Sequence, residues 1–287
     1  VFFSDRLELE TRSRGKATSH YLGNGVVLSR LLGKYPILLS GSDRSITPCI
    51  VLDGFWESWV TLAMLRHLKP GMRCVDVGAN IGYFALLMAH AVGEDGMVRA
   101  FEPQEDLARL LKQTAQLNGV QARMDVHTVA LTDRSRLVRL VPGGVTGEKA
   151  DPAYTGSSRI LTADEERDAI NCFGGSGCPV SVHAQAFDGL FLNEIIDFVK
   201  MDVEGHEMFA FNGMREAWDR SPNPVALVEW GPQFNPEHPY ALPCYFSMFA
   251  RVQMVDTSGD VVDLPWQEWQ AEGRPLNELY MLWVTKP

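Results

Sequence analysis

The chain has 287 residues, 46% of them hydrophobic and 22% charged, which is ample apolar material for a core and an ordinary balance for a soluble globular protein. A net charge of −10 without any long Lys/Arg run argues against general nucleic-acid binding, whose non-specific affinity is electrostatic; SRLVRL at 135–140 is too short to alter that. No apolar run reaches membrane-spanning length, the N-terminus shows no signal-peptide pattern, and the five cysteines (Cys49, Cys74, Cys172, Cys178, Cys244) form no C-x-x-C pair. The expectation is a soluble, cytoplasmic protein without a membrane span, in which Cys172 and Cys178 of the Gly-rich NCFGGSGC are free thiols.

In chain order, residues 1–54 are short apolar stretches broken by Gly, Ser and Pro, which predicts an extension of strands and loops packed on the core. DGFWESWVTLAMLRHLKPGM predicts a helix capped by Asp53 and ended by Pro70-Gly71. The main domain is expected over 55–287. RCVDVGAN reads as a strand, IGYFALLMAHAV as a helix stopped by GEDG, and VRAFEP as a second strand. Pro103 is expected to open the next helix, with Glu105 and Asp106 in its first turn, a stripe of Leu107, Leu110, Leu111 and Leu117, and Asn118-Gly119 as its stop. VHTVAL, IIDFVKMD and VALVEW supply the third, fourth and fifth strands, and RVQMVDTSG and ELYMLWVTK an antiparallel addition at one edge. Continuously apolar strands alternating with helices predict an α/β, Rossmann-like fold: a mostly parallel, seven-stranded sheet with helices on both faces. The stretch at about 134–190 has no clean period and reads as a substrate-side insertion containing a hairpin.

The most informative motif is VDVGANIGYF, a strand, a glycine turn and a helix start. Its spacing is G-x-x-x-G rather than G-x-G-x-x-G, with Asp76 two residues before Gly78. An acid there repels a pyrophosphate and attracts an ammonium group. Glu102, at the end of the second strand, stands where a carboxylate accepts hydrogen bonds from ribose hydroxyls. An anion for an amine, helix-start amides for a carboxylate and an acid for a ribose together match S-adenosylmethionine.

VDVGANIGYF, FEP, ALTD and FVKMDVEGHE, in this order, resemble the FkbM-like family of S-adenosylmethionine-dependent methyltransferases, over roughly residues 55–230. The resemblance implies a class I methyltransferase fold and a methyl transfer that leaves S-adenosylhomocysteine. By it, Asp76, Gly78, Ala79, Asn80 and Gly82 would surround the methionine part, Glu102 the ribose, and Pro103, Val129 and Ala130 the adenine. Asp202 would lie nearest the sulfur. The implied acceptor is a hydroxyl of a small molecule, polyketide or glycan, by analogy only. Glu57 resembles a family position as well, although a capping or surface acid is the preferred reading.

Ligands of parallel sheets bind beyond the carboxyl ends of the strands, which assigns VKMDVEGHE to the cofactor's side. A hydroxyl acceptor needs a base, worth about two to four orders of magnitude in rate. His206 is the natural choice because its ordinary pKa is near neutrality, with Glu204 and Glu229 as rivals and Glu207 also open. A metal held by Asp202, Glu204, His206 and Glu229 is set aside, because D-x-E-x-H is no recognised ligand spacing. The Pro-framed FNPEHPY at 234–240 stands where a loop can cover substrate, and the tryptophans are expected to pack rather than stack on sugars. The alternatives are a nicotinamide-dependent oxidoreductase or epimerase, opposed by the missing G-x-G-x-x-G, and a non-catalytic S-adenosylmethionine-binding module. No G-x-S-x-G or Walker loop anchors a hydrolase or kinase reading.

Overall fold

A computed structural model describes residues 3–146, 149–151, 153–161, 179–235, 237–264 and 278–287. The N-terminal segment is more ordered than its broken pattern suggests. Helix α1 (Arg6–Arg14) precedes a meander of β1 (His20–Gly23), β2 (Val26–Leu31) and β3 (Tyr35–Ser40), and α2 (Ile46–Asp53) follows. Asp53 therefore ends a helix instead of capping one. Gly54, at φ 78°, stops α2 in the left-handed conformation that glycine adopts freely, and α3 (Ser58–His67) starts a turn later.

The parallel core comes next: β4 (Arg73–Val77), α4 (Tyr83–Val92), β5 (Met97–Phe101), α5 (Glu105–Leu117) and β6 (Met124–His127). Pro103 lies two residues before α5, while Glu105 and Asp106 occupy its first turn as expected. The third predicted strand is split. After β6 the chain leaves the main sheet, and β7 (Ala130–Leu131) joins β8 (Arg136–Val141), β11 (Arg159–Ile160) and β12 (Val180–Gln185) in a separate four-stranded sheet. Between β8 and β11 stands the hairpin of β9 (Gly144–Thr146) and β10 (Lys149–Asp151). Cys172 and Cys178 lie outside the described residues.

The chain returns to the main sheet with β13 (Phe198–Met201) and β14 (Val225–Trp230), and finishes with β15 (Arg251–Val255), β16 (Val261–Asp263) and β17 (Tyr280–Thr285). The sheet order is β16-β15-β17-β14-β13-β4-β5-β6, parallel from β14 to β6 and antiparallel from β14 to β16. The sheet is thus eight-stranded and mixed, not seven-stranded and mostly parallel. The eighth strand arises because VVD (261–263) turns back on β15.

Both faces of this sheet are covered, so every residue of β13 and β14 is buried. On one face α3, α4 and α5 pack with Leu9, Leu31, Ile37, Leu39 and Ile50 of the N-terminal segment. On the other, Phe187, Phe211, Trp218 and Phe246 form a second apolar layer. The strand order reverses between β4 and β13, and their carboxyl ends open the crevice in which such folds bind ligands.

Candidate active site

A cavity of about 270 Å³ occupies that crevice. Its floor is the turn after β4. Gly78 has φ 80°, and a Cβ there would lie 2.0 Å from the Asp202 carbonyl oxygen, so the two strand ends meet only with glycine at this position. Gly82, at φ 89°, is required for a different reason: its Cβ would strike Leu111 Cδ1 at 2.0 Å. It lets α4 approach α5 and does not line the cavity.

Glu102 follows β5 and is 4% exposed. Its Oε2 accepts the Asn80 amide at 2.9 Å and its Oε1 the Gln104 amide at 2.8 Å, which fixes the carboxylate toward the cavity. Burial, only partly offset by these bonds, pushes its pKa up to about 7. Pro103, Ala130, Leu131, Leu140 and Ile160 make an apolar wall beside it. Val129 packs instead in the second apolar layer.

The opposite wall is acidic. Asp202, Glu204 and Glu229 line it, with one carboxylate oxygen of each lying within 4.8 Å of the others. Burial first, then repulsion by Asp202 and Glu207, raises Glu204 to about 9; burial, Asp202 and Glu204 push Glu229 well above the carboxylate range. Glu57 faces them from the start of α3, in a left-handed backbone conformation (φ 39°), and makes no capping bond. Its Oε2 is enclosed without a partner, and burial above all raises it to about 7. Glu57 is thus neither a cap nor a surface acid.

Lys200 lies among these acids. It is 2% exposed, donates from Nζ to Asp202 Oδ2 at 2.6 Å and rests over the Phe84 ring at 4.7 Å. Burial opposes its charge, but Asp202, Glu57 and Asp76 outweigh burial and hold the ammonium above its ordinary pKa. Sequence reasoning passed over this residue, although a lysine inside the apolar run IIDFVKM was the available signal.

Three expected site residues stand away from the cavity besides Val129. Asp76 lies within β4, in register with Lys200; both its oxygens are enclosed without hydrogen bonds, and burial raises it to about 6. Gly82 is the second, as described. His206 is the third: its Nε2 lies 3.0 Å from Thr132 Oγ1 and its ring stacks on Phe209. Burial, followed by the Arg136 charge, lowers its pKa to about 4, so the neutral imidazole is bound into the turn rather than presented to an acceptor. Glu207 accepts the Val203 and Gly205 amides on one oxygen and closes the same turn. Phe234, Asn235, His238 and Pro239 of FNPEHPY line a second hollow of about 50 Å³ next to Glu207, not the main cavity. Trp218, Trp230 and Trp283 are buried packing residues; Trp266 and Trp269 lie outside the described residues.

The remaining wall comes from outside the sheet. Asp43 receives the Ile46 and Thr47 amides at 2.9 and 2.6 Å, capping α2, and also the Thr155 hydroxyl at 3.0 Å. Ser45 Oγ takes the Gly156 amide at 3.1 Å, and Asn80 Nδ2 donates to the Thr155 carbonyl at 3.0 Å. The N-terminal segment and the insertion are thereby fastened to each other and to the glycine turn, with Ser45, Ile46 and Thr155–Ser158 facing the cavity.

Comparison with known proteins bears directly on this crevice. The methyltransferase FkbM domain matches residues 76–250. No curated protein sequence matches the chain. Among solved structures, the methyltransferase FkbM from Methylobacillus flagellatus KT is 14% identical, with a TM-score of 0.45 over 76% of this chain and 48% of that one; the chain spans about half its length. An O-methyltransferase from Bacillus cereus in complex with SAH is 11% identical (TM-score 0.43, 80% of each chain). A SAM dependent methyltransferase from Aquifex aeolicus is 13% identical (TM-score 0.39, 77% of this chain and 85% of that one). No helix among the described residues is long and apolar enough to cross a membrane. The family match runs from β4 through β14, across the strand ends that build the cavity, and the chain belongs to the FkbM methyltransferase domain family.

Proposed function

We propose that this chain is an S-adenosylmethionine-dependent methyltransferase that methylates a hydroxyl of a small molecule or glycan. The observation that carries the reading is Glu102, a carboxylate held by two backbone amides at the carboxyl end of β5 and turned into the cavity of an FkbM-family fold. The lining fits the cofactor. Glu102 would take the ribose hydroxyls, Pro103, Ala130 and Leu131 the adenine, and Gly78, Ala79 and Asn80 the methionine end. Glu57, enclosed and without a partner, takes the place expected for Asp76 beside a positive charge. S-Adenosylmethionine when bound supplies a methyl group on a cationic sulfur, which keeps the electron pair of the broken C–S bond and becomes the thioether of S-adenosylhomocysteine.

The chain's own residues supply alignment, exclusion of water and a destination for the proton. A hydroxyl oxygen gives its lone pair to the methyl carbon and loses its proton to a carboxylate. Glu204 and Glu229 are the expected catalytic residues that remain on the cavity. Burial and mutual repulsion favour their protonated forms when the cavity is empty, so Glu229 Oε2 becomes the acceptor once a bound positive charge has displaced its own proton. The sequence-level preference for His206 as base is replaced by this pair on geometric grounds.

Isothermal titration tests the binding half of the proposal. S-Adenosylmethionine should bind the intact chain, and Glu102→Ala should weaken it by roughly tenfold to a hundredfold, the loss expected when hydrogen bonds to a charged group disappear. Equal affinity in a folded Glu102→Ala protein overturns the assignment.

A further inference from the structure

We infer that Asp202, Glu204 and Glu229 form a binding site for one divalent, oxygen-seeking cation, set in the acidic wall of the cavity at the ends of β13 and β14. One carboxylate oxygen from each of the three lies within 4.8 Å of the others. Two oxygens on one ion are separated by at most twice the bond length, about 4.8 Å for a calcium-type bond of about 2.4 Å and about 4.2 Å for a magnesium-type bond of about 2.1 Å. Three oxygens under that bound are near enough for side-chain rotations to close them on one ion of either size.

A group of acids alone would be unremarkable. Here a second feature points to a ligand. Glu229 is 4% exposed, and its Oε2 makes no hydrogen bond. Across the cavity, Glu57 Oε2 is enclosed and equally without a partner. Removing a carboxylate from water without pairing it is expensive, and Lys200, the cation among the described lining residues, is already committed to Asp202 Oδ2. The ion displaces the protons these acids hold in the empty cavity, and the three carboxylate charges are then neutralised by it and Lys200 together. An all-carboxylate donor set favours magnesium, manganese or calcium over zinc or copper. Among the described residues these three ligands stand on one wall, so the ion's cavity side is left for water or for an acceptor oxygen. In that role, which rests on the methyl-transfer reading, the ion holds the acceptor hydroxyl and lowers its pKa.

Manganese binding to the chelator-treated full chain, followed by electron paramagnetic resonance of the free ion, tests the site without reference to turnover. One bound manganese per chain is expected, with magnesium or calcium competing for it. Glu204→Gln and Glu229→Gln should each weaken binding by about tenfold or more, because affinity at such sites follows the number of charged ligands. Glu105→Gln, at an exposed position on α5, should leave it unchanged. Circular dichroism establishes that each variant is folded. No bound manganese, with or without S-adenosylhomocysteine, overturns the inference, as does binding that both Gln variants retain in full. Titration of S-adenosylmethionine on the same preparations separates the two ideas. Manganese binding without cofactor binding supports the ion site and defeats the methyl-transfer reading; cofactor binding without manganese defeats the ion site alone.

Discussion

Burial decides how His206 behaves. Held against Thr132 and Phe209, its imidazole is neutral in the folded chain down to about pH 4, whereas in the unfolded chain it takes up a proton near 6.5. The folded-state pKa is lowered, so its contribution to stability is complete above about 6.5 and is lost as pH falls through about 4. The cost across that interval is up to about 3 kcal/mol. Urea unfolding of the intact chain and of His206→Gln between pH 4 and 7 should therefore diverge: the variant loses less stability on acidification. Parallel curves would show that the histidine is not the group being charged. At this same scale, the sequence revealed Glu102, Gly78 and Asp202 because their positions at strand ends follow from the pattern of apolar runs. It did not foretell that Asp76 is enclosed within the sheet or that Glu57 lines the cavity. Which face a strand residue presents depends on register, and Asp76 is paired with Lys200 inside the sheet rather than placed at its rim.

Between elements, the contact of the α4 start with α5 is one of two equally close approaches that the glycine turn imposes. Gly82→Ala should destabilise the chain by about 2 kcal/mol or more, from both the left-handed backbone and the collision with Leu111. Shortening Leu111 to Ala removes the collision but leaves a cavity in the buried face of α5. The double variant should therefore be more stable than the sum of the two single losses predicts, a favourable coupling that denaturant melts measure directly. Strict additivity would mean that the glycine serves only its backbone angle. The alternation of strands and helices was legible because buried parallel strands are continuously apolar. The exit of β7 into a second sheet was not, since VHTVAL reads as one short strand and its composition does not say which partner each half pairs with. The order of the first fifty-four residues was equally hidden, because their strands are short and their helices draw stability from the shared core.

For the molecule as a whole, the acid-rich cavity makes stability depend on what fills it. Glu57, Glu102, Glu204 and Glu229 all have pKa values raised by burial above the ordinary 4.5. Such groups lend stability below about 4.5 and withdraw it as pH rises through their folded values, about 7 for Glu57 and Glu102 and about 9 for Glu204. The window above 6.5 is free of the opposing histidine effect. There the melting temperature of the ligand-free chain should fall steadily toward pH 9, and Glu204→Gln should raise it at pH 8.5 by about 3 °C or more. Scanning calorimetry at several pH values checks both, and an unchanged or lower melting temperature in the variant would show that these acids are relaxed in the empty cavity. Trading stability for a poised site is common where a binding pocket must stabilise charge.

The fastening at Asp43 has a bearing on where the working unit ends. The segment shared with the family runs from 76 to 250, yet Ser45, Ile46, Trp56, Glu57 and Leu279 line the same cavity. Asp43 joins the start of α2 to Thr155 through one carboxylate, so the wall contributed by the first fifty-odd residues and the wall contributed by the insertion stand or fall together. The matched segment carries the turn, Glu102 and the acids of β13 and β14, while the flanking chain adds Glu57 and completes the enclosure. The cavity is thus enclosed by more of the chain than the family match covers, and a change at Asp43 would loosen both outer walls at once while leaving the strand ends beneath in place.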